Sequence, residues 1–297
     1  MTKPTVSVVM ITYAHEQFIK QAIEGVLMQQ CDFDVELIIA DDCSPDTTES
    51  IVNDICQTHP NASWIKYTKH KNNLGMMPNF IFALEQAEGK FIALCEGDDY
   101  WIDPLKLKKQ VDVFKKYPET VICGTRAKTW DENTQEFKEL TPPVDIKETH
   151  FNTNDFFNKK IWVKNCTRMF KKVDLLNIPH KYLIDFLLIN YLIATNPEKL
   201  IVALPDITTV YREHGGGVYS SKTQIQKDIS NYRVNLDLAG LYNGKKRKAI
   251  LKFTRTLALR LYNTEALGMK GRLFYFLECI RLNPKLTIYE LYNKFYK

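Results

Sequence analysis

Between Val6 and Phe114 the chain alternates two textures. Short, nearly continuous apolar runs rich in β-branched residues have the look of strands covered on both faces. Between them, apolar residues recur every three or four positions, the mark of a helix with one buried stripe. "VSVVMITY" (residues 6–13) is the first such strand, and Phe18, Ile19, Ala22, Ile23 and Val26 then follow at helical spacing. "VELIIA" (35–40) is a second strand; in "SPDTTESIVNDI" Ser44 is placed to cap a helix, Pro45 to enter its first turn, and Asp46 and Glu49 to suit its positive end. "WIKYTK" (64–69) is a weaker third strand, "MPNFIFALEQAEG" (77–89) a helix stopped by Gly89, and "KFIALC" (90–95) a fourth strand. Asp103-Pro104 opens a helix that puts Leu107, Val111 and Phe114 on one face. The alternation predicts an α/β fold, a mostly parallel sheet flanked by helices.

Ligands of such sheets bind at the carboxyl ends of the strands. Two acidic groups fall there: Asp41 and Asp42 after the second strand, and Glu96, Asp98 and Asp99 ("EGDD") after the fourth. Grouped carboxylates facing one crevice suit Mg²⁺ or Mn²⁺, and magnesium completes its shell with substrate phosphates. The cluster therefore reads as the protein's half of a metal–diphosphate site; a solvated acidic turn, with Asp103 as a helix cap, is the plainer alternative. No GxxxxGK[ST] is present, and no GxGxxG follows the first strand, so phosphate binding falls to metal and basic side chains.

Charge divides the chain. Residues 245–297 hold 13 Lys/Arg against 3 Asp/Glu, a net of +10, where the whole 297-residue chain is +5. This asymmetry puts a boundary near "YNGKKRKA" and implies two parts with different partners. The seven cysteines form no CxxC pair, which argues against a zinc site or a disulfide framework and fits a reducing cytoplasm. The N-terminus lacks the pattern of a signal peptide, and no run of eighteen apolar residues is present.

Four stretches, "VSVVMITYAHEQFIKQAIEGVLMQQ", "ELIIADDCSPDTTESIV", "NLGMMPNFIFALEQAEGKFIALCEGDDYWIDPLKLKKQV" and "VYREHGGGV", occur in that order. Together they resemble the family-two inverting glycosyltransferases of the GT-A (Rossmann-like) fold, over roughly residues 4–220. The resemblance implies transfer of a sugar from a nucleoside-diphosphate sugar, with UDP the expected nucleotide, to a hydroxyl of a glycan or lipid-linked acceptor. It places the nucleotide pocket at Thr12 and Tyr13 and assigns nucleobase contact to the acidic pair, Asp42 being the better match than Asp41. A turn residue bonding its own backbone is the other reading of Asp41. Counting back from Pro104, the resemblance makes Asp99 the metal ligand and puts Asp98 on the ribose or beside the metal; Glu96 stands where relatives carry Asp. Arg212 and His214, on a glycine-loosened loop, would close over the diphosphate, with His214 also available to the metal. Trp101 and Thr167 would border the acceptor, Trp101 having core packing as its alternative, and Arg168 accompanies Thr167. The base that takes the acceptor's proton would be Asp185, which is also a good helix cap, with Asp155 and Asp174 behind it. His15, His59, His70, His150 and His180 have no paired spacing and read as structural or surface residues. A non-catalytic sugar-nucleotide-binding or scaffold protein of the same fold is the alternative, because "EGDD" departs from the family's Asp-x-Asp pattern.

These considerations divide the chain into a catalytic domain, residues 1–224, and a basic helical extension, residues 225–297. In the extension Ile250, Phe253, Leu257 and Leu261 form one stripe, "GRLFYFLECIRLNP" a second helix and "LTIYELYNKFY" a third with a capping box. Basic amphipathic helices of this kind fit an anionic membrane surface and a peripheral place on the inner face of the cell membrane. They carry no nucleic-acid-binding motif.

Overall fold

The strand-like runs assemble into one mixed sheet. The computed structural model describes residues 3–141, 149–151, 163–172, 200–217 and 222–282. Strands β1 (Val6–Thr12), β2 (Val35–Asp41), β3 (Ile65–Lys69) and β4 (Phe91–Leu94) pair in parallel in the order β3-β2-β1-β4. Every residue of β2 is buried, and all of β1 but Ile11, as their nearly continuous apolar runs require, with the buried Ser7 and Glu36 hydrogen-bonded to each other. β3 lies at the edge, where half-buried residues alternate with exposed ones and Lys66 and Lys69 protect the open side. Helices α1 (Ile19–Leu27), α2 (Thr48–Thr58), α3 (Met76–Gln86) and α4 (Lys106–Lys116) follow β1, β2, β3 and the short β5 (Tyr100–Trp101). The core holds Val8, Met10, Leu37 and Ile39 of the sheet with Ile19, Ile23 and Val26 of α1 and Leu107 and Val111 of α4. Each such side chain contributes about 1.5–3 kcal/mol on burial.

Beyond β4 the sheet continues through β9 (Met169–Lys171), β6 (Thr120–Asp131) and β10 (Leu200–Glu213) to β5. β9 runs antiparallel to both β4 and β6, while β6 and β10 run parallel to one another. β7 (Glu136–Thr141) and β8 (Thr149–Phe151) add antiparallel to β6 and β10. The chain steps outward from β1 to β2 and β3, then returns to place β4 on the other side of β1. That reversal opens the sheet's crevice at the carboxyl ends of β1 and β4.

Several local expectations change. α2 begins at Thr48, not at Ser44, because Ser44 is engaged elsewhere: its Oγ accepts the Ala14 N–H (2.9 Å) and its own N–H goes to Asp41 Oδ1 (2.7 Å). Asp46 takes over at the helix start, accepting the Thr48 N–H. Gly89 does not cap α3, which ends at Gln86; a Cβ there would lie 2.5 Å from the Ser7 nitrogen, so glycine is needed for close approach to β1. Tyr211, Arg212 and Glu213 belong to β10, and only the glycines after His214 form a turn.

The described residues fall into two compact units, the first running to His214 and the second starting at Gly215. The second holds α5 (Gln224–Leu241), α6 (Gly244–Tyr262) and α7 (Gly268–Leu282), around a core of Tyr232, Leu257, Ala258, Leu261, Tyr275 and Cys279. α5 is closed by a capping box between Thr223 and Gln226 that the sequence reading did not find. On α6 the inward position between Ile250 and Leu257 is taken by Thr254, and Phe253 faces solvent instead. The "LTIYELYNKFY" segment lies outside the described residues. Among the described residues no helix is long and apolar enough to cross a membrane. None of the seven cysteines, all among the described residues, forms a disulfide.

Candidate active site

Three segments meet at the carboxyl ends of β1, β4 and β10. The first leaves β1 at Thr12. Ala14 takes a left-handed conformation (φ 56°), rare for a residue with a side chain, and turns the chain into α1. His15 is anchored on both sides: its N–H donates to Thr48 Oγ1 (3.2 Å), and its carbonyl accepts from Phe18 and Ile19 (2.9 and 2.8 Å) at the start of α1. Its ring Nδ1 pairs with Thr12 Oγ1 at 3.1 Å. Tyr13 beside it is half exposed.

The second segment is the acidic turn Glu96–Asp99, closed by Asp99 N–H to Glu96 O (3.1 Å). A side chain at Gly97 would sit 2.8 Å from Thr12 Oγ1 and 2.9 Å from His15 Nδ1, so only glycine lets the turn lie against the Thr12–His15 pair. Asp98 projects toward the imidazoles: its Oδ2 lies 3.1 Å from His214 Nε2 and 3.8 Å from His15 Nε2. Burial alone would raise the Asp98 carboxyl, but the His214 and His15 rings hold it below the usual carboxylate range. Burial lowers His15, favouring its neutral ring.

Asp99 points the other way. It is buried, accepts the Arg212 backbone N–H at 2.9 Å, and lies beside the Cys166 thiol. Burial, together with the Asp98 and Glu96 carboxylates, pushes its carboxyl well up. Asp98 and His214 thus share the crevice, whereas Asp99, expected as the metal ligand, ties the turn to β10 and lies with Glu96 and Cys166 in a second group of atoms that could hold a metal ion. Glu96 is bonded by the Asn165 amide, whose own carbonyl accepts from the buried Arg168 (2.9 Å).

The third segment is the end of β10. Arg212 is buried, not loop-borne. Its guanidinium donates to the Asp98 carbonyl (2.8 Å) and to Gln21, pairs with Glu132 (3.1 Å), and stacks over Tyr100 at 4.3 Å. With its donors engaged in this way, it buttresses the acidic turn. His214 packs against Phe18, with ring centres 4.7 Å apart.

At the neighbouring strand end, Asp41 accepts from Ser44 N (2.7 Å) and Tyr67 OH (2.8 Å). The first of these is the local turn bond weighed as its alternative. Asp42 accepts the backbone N–H groups of Leu74 and Gly75 (2.6 and 2.9 Å), clamping the loop that leads into α3. Trp101 and Thr167, expected beside the acceptor, are both buried. Trp101 is buried with Nε1 donating to Cys166 O (3.0 Å), and Thr167 is fully buried with Oγ1 donating to Lys164 O (2.7 Å). Asp185, Asp155 and Asp174 lie outside the described residues. His15, which the sequence reads as a structural or surface residue, faces Asp98 and His214 in the same group of possible metal-ligand atoms. A single histidine gives no spacing signal, and only the Thr12 and Gly97 contacts reveal its aim.

Comparison with known proteins identifies the family and the fold. The sequence profile described as Glycosyl transferase family 2 matches residues 7–177. An uncharacterized protein of Mycobacterium tuberculosis is 30% identical over 300 residues, covering 97% of this chain and 83% of the relative. Among solved structures, S. aureus TarS 1–349 in complex with UDP-GlcNAc superposes with a TM-score of 0.67 at 19% identity, over 96% of this chain and 83% of that one. The mannosyltransferase PcManGT of Pyrobaculum calidifontis, in complex with GDP-Man and Mn²⁺, gives 0.59 at 17% identity, over 99% and 84%. The family profile spans the sheet from β1 through β9 and includes the whole acidic turn, and on that match the chain belongs to glycosyl transferase family 2, as a nucleotide-sugar glycosyltransferase of the GT-A fold.

Proposed function

We propose that this glycosyltransferase works with a divalent cation and inverts the anomeric centre, moving a sugar from a nucleoside-diphosphate sugar, UDP-linked by preference, to a hydroxyl of a glycan or lipid-linked acceptor. The observation that carries the proposal is the meeting of Asp98 and His214 at the crevice where β1 and β4 end. One carboxylate and an imidazole 3.1 Å apart fit Mn²⁺ or Mg²⁺, whose bonds to such donors run about 2.1 Å. A bound cation would neutralise charge on the departing diphosphate. The neighbours crystallised with UDP-GlcNAc and with GDP-Man and Mn²⁺ support a nucleotide-sugar donor and a divalent ion.

The chain's own groups divide the remaining work. Tyr13, half exposed beside Thr12, offers an aromatic face to the base. Asp42 acts on nucleotide binding through the 74–75 loop that it holds. Arg212 fixes Asp98 through its backbone carbonyl, so the carboxylate is positioned before substrate arrives. Asp185 remains the proposed base that takes the acceptor hydroxyl's proton while the nucleotide leaves from the opposite face. The basic second unit is the proposed contact with anionic membrane.

Donor turnover tests this directly. UDP-sugar hydrolysis or transfer should require Mn²⁺ or Mg²⁺ and stop with chelator, and NMR of the product should show inverted configuration. Asp185→Asn should cut turnover by about 10²–10⁴-fold with donor affinity kept. Full activity in chelator would end the metal proposal, and a retained configuration would end the inverting one.

A further inference from the structure

We infer that His15 is a third protein donor to the ion held by Asp98 and His214, so that the site offers two imidazoles and one carboxylate and prefers Mn²⁺ to Mg²⁺. This rests on the metal reading above and deepens it.

Four observations converge on His15. His15, His214 and Asp98 form one group in which each offers a ligand atom and all these atoms lie within 4.8 Å of one another, with both Nε2 atoms facing Asp98 Oδ2. The separation from Asp98, 3.8 Å, is too long for a hydrogen bond, so His15 is not there merely to bond the carboxylate. Its other nitrogen faces Thr12 Oγ1 at 3.1 Å, and donation from Nδ1 to that hydroxyl leaves the Nε2 lone pair directed at the crevice. A second-shell partner on the far nitrogen is the arrangement that fixes the tautomer of metal-binding histidines. Finally, the ring is held on both flanks. Its backbone is bonded to α1 and α2, and Gly97 removes the one side chain that would displace it. A surface histidine would need none of this.

The chemistry then sets the ion. Mg²⁺ and Mn²⁺ both accept carboxylate, carbonyl and water, but of the two only Mn²⁺ is a first-row transition ion, and it takes imidazole nitrogen more readily than the hard Mg²⁺ does. A site with His15 and His214 beside a single carboxylate should therefore discriminate, where a purely carboxylate turn would not.

The test is Mn²⁺ bound to the full-length protein with UDP, read by pulsed electron paramagnetic resonance for directly coupled ¹⁴N nuclei and by calorimetry for affinity. Wild type should show two coupled nitrogens. His15→Ala and His214→Ala should each show one, and His15→Ala should bind Mn²⁺ about tenfold or more weaker while Mg²⁺-supported UDP binding changes less than about threefold. His15→Asn keeps an amide for Thr12 and lacks a ring nitrogen; it serves if the alanine variant melts early, and should give the same single coupling. One coupled nitrogen in wild type that persists in both His15 variants and vanishes in His214→Ala overturns the assignment of His15 and leaves the Asp98–His214 site standing. No Mn²⁺ binding by wild type, with UDP still bound, overturns the metal reading itself and this inference with it.

Discussion

Asp98 and Asp99 are adjacent, chemically identical and differently employed. The backbone of a tight turn sends successive side chains apart, one into the crevice toward His214 and the other to the Arg212 N–H of β10. Two substitutions separate these roles. Asp98→Asn should weaken Mn²⁺-dependent UDP binding by more than about tenfold in calorimetry, as expected when a carboxylate ligand is lost. Asp99→Asn retains an acceptor for the Arg212 N–H and should leave that affinity within about threefold. Equal losses in both variants would return Asp99 to the ligand set. The sequence announced the acidic turn and its partner His214, because strand ends and ordered motifs are visible in a string of residues. It did not disclose which carboxylate turns inward, since counting from Pro104 fixes register and not direction. Nor did it expose the placement of His15, which depends on a glycine 82 positions later, Gly97, leaving room for it.

At the scale of elements, β1, β2 and β4 were legible because they are nearly continuous apolar runs buried on both faces, broken only by Ser7 and Glu36 before the strand ends. β6 and β10 were not, because they bury polar side chains: Thr125 and Thr208 face each other across the pair at 2.6 Å, and Arg126 and Thr209 are buried beside them. The inner face of α4 breaks the apolar rule in the same way. Lys106 is fully buried, donates to Gln110 Oε1 (2.6 Å) and Thr167 O (3.3 Å), and lies 4.3 Å from the centre of the Trp101 ring. Burial drops its pKa to about 8, from an ordinary value of 10.5. Between those values the unfolded chain keeps a proton that the folded chain has released, so this lysine makes stability rise with pH from about 8 to 10.5. Below pH 8 both states are protonated and the cost of the buried charge is fully present. Lys106→Met should flatten the wild-type gain over that window by at most about 3–4 kcal/mol. Urea unfolding of both proteins at several pH values reads the difference. Parallel pH profiles would mean that Lys106 stays charged in the folded state.

For the whole molecule, the unequal charge and the solvent-facing side chains of the second unit bear on one question: what this chain touches besides its substrates. Residues 245–297 carry 13 Lys/Arg against 3 Asp/Glu. Among the described residues, Lys245, Arg247, Lys248 and Lys252 of α6 form no ion pair. On α7, Met269, Leu273 and Leu277 recur four apart and all face solvent, with Phe274 beside them; Met269 is 88% exposed. A helix that turns a row of large apolar residues outward gains nothing from that row in water. The row has a use where apolar side chains can leave water and the unit's cations can meet negative charge, which is the interface of an anionic bilayer. Each Lys or Arg near such a surface contributes on the order of 1 kcal/mol, and the attraction fades within a Debye length. Full-length protein should therefore sediment with vesicles containing anionic lipid, fail to do so with neutral ones, and be released by raised salt. Replacing Leu273 and Leu277 together by Asp should weaken binding at constant salt without lowering the melting temperature, since both side chains are exposed in the folded chain. Replacing Lys245 and Lys248 by Glu should lessen the salt dependence itself. Protein that ignores anionic vesicles at low salt, and sediments as an oligomer that the Leu273/Leu277 pair of substitutions dissociates, would assign the row to contact between copies of this chain.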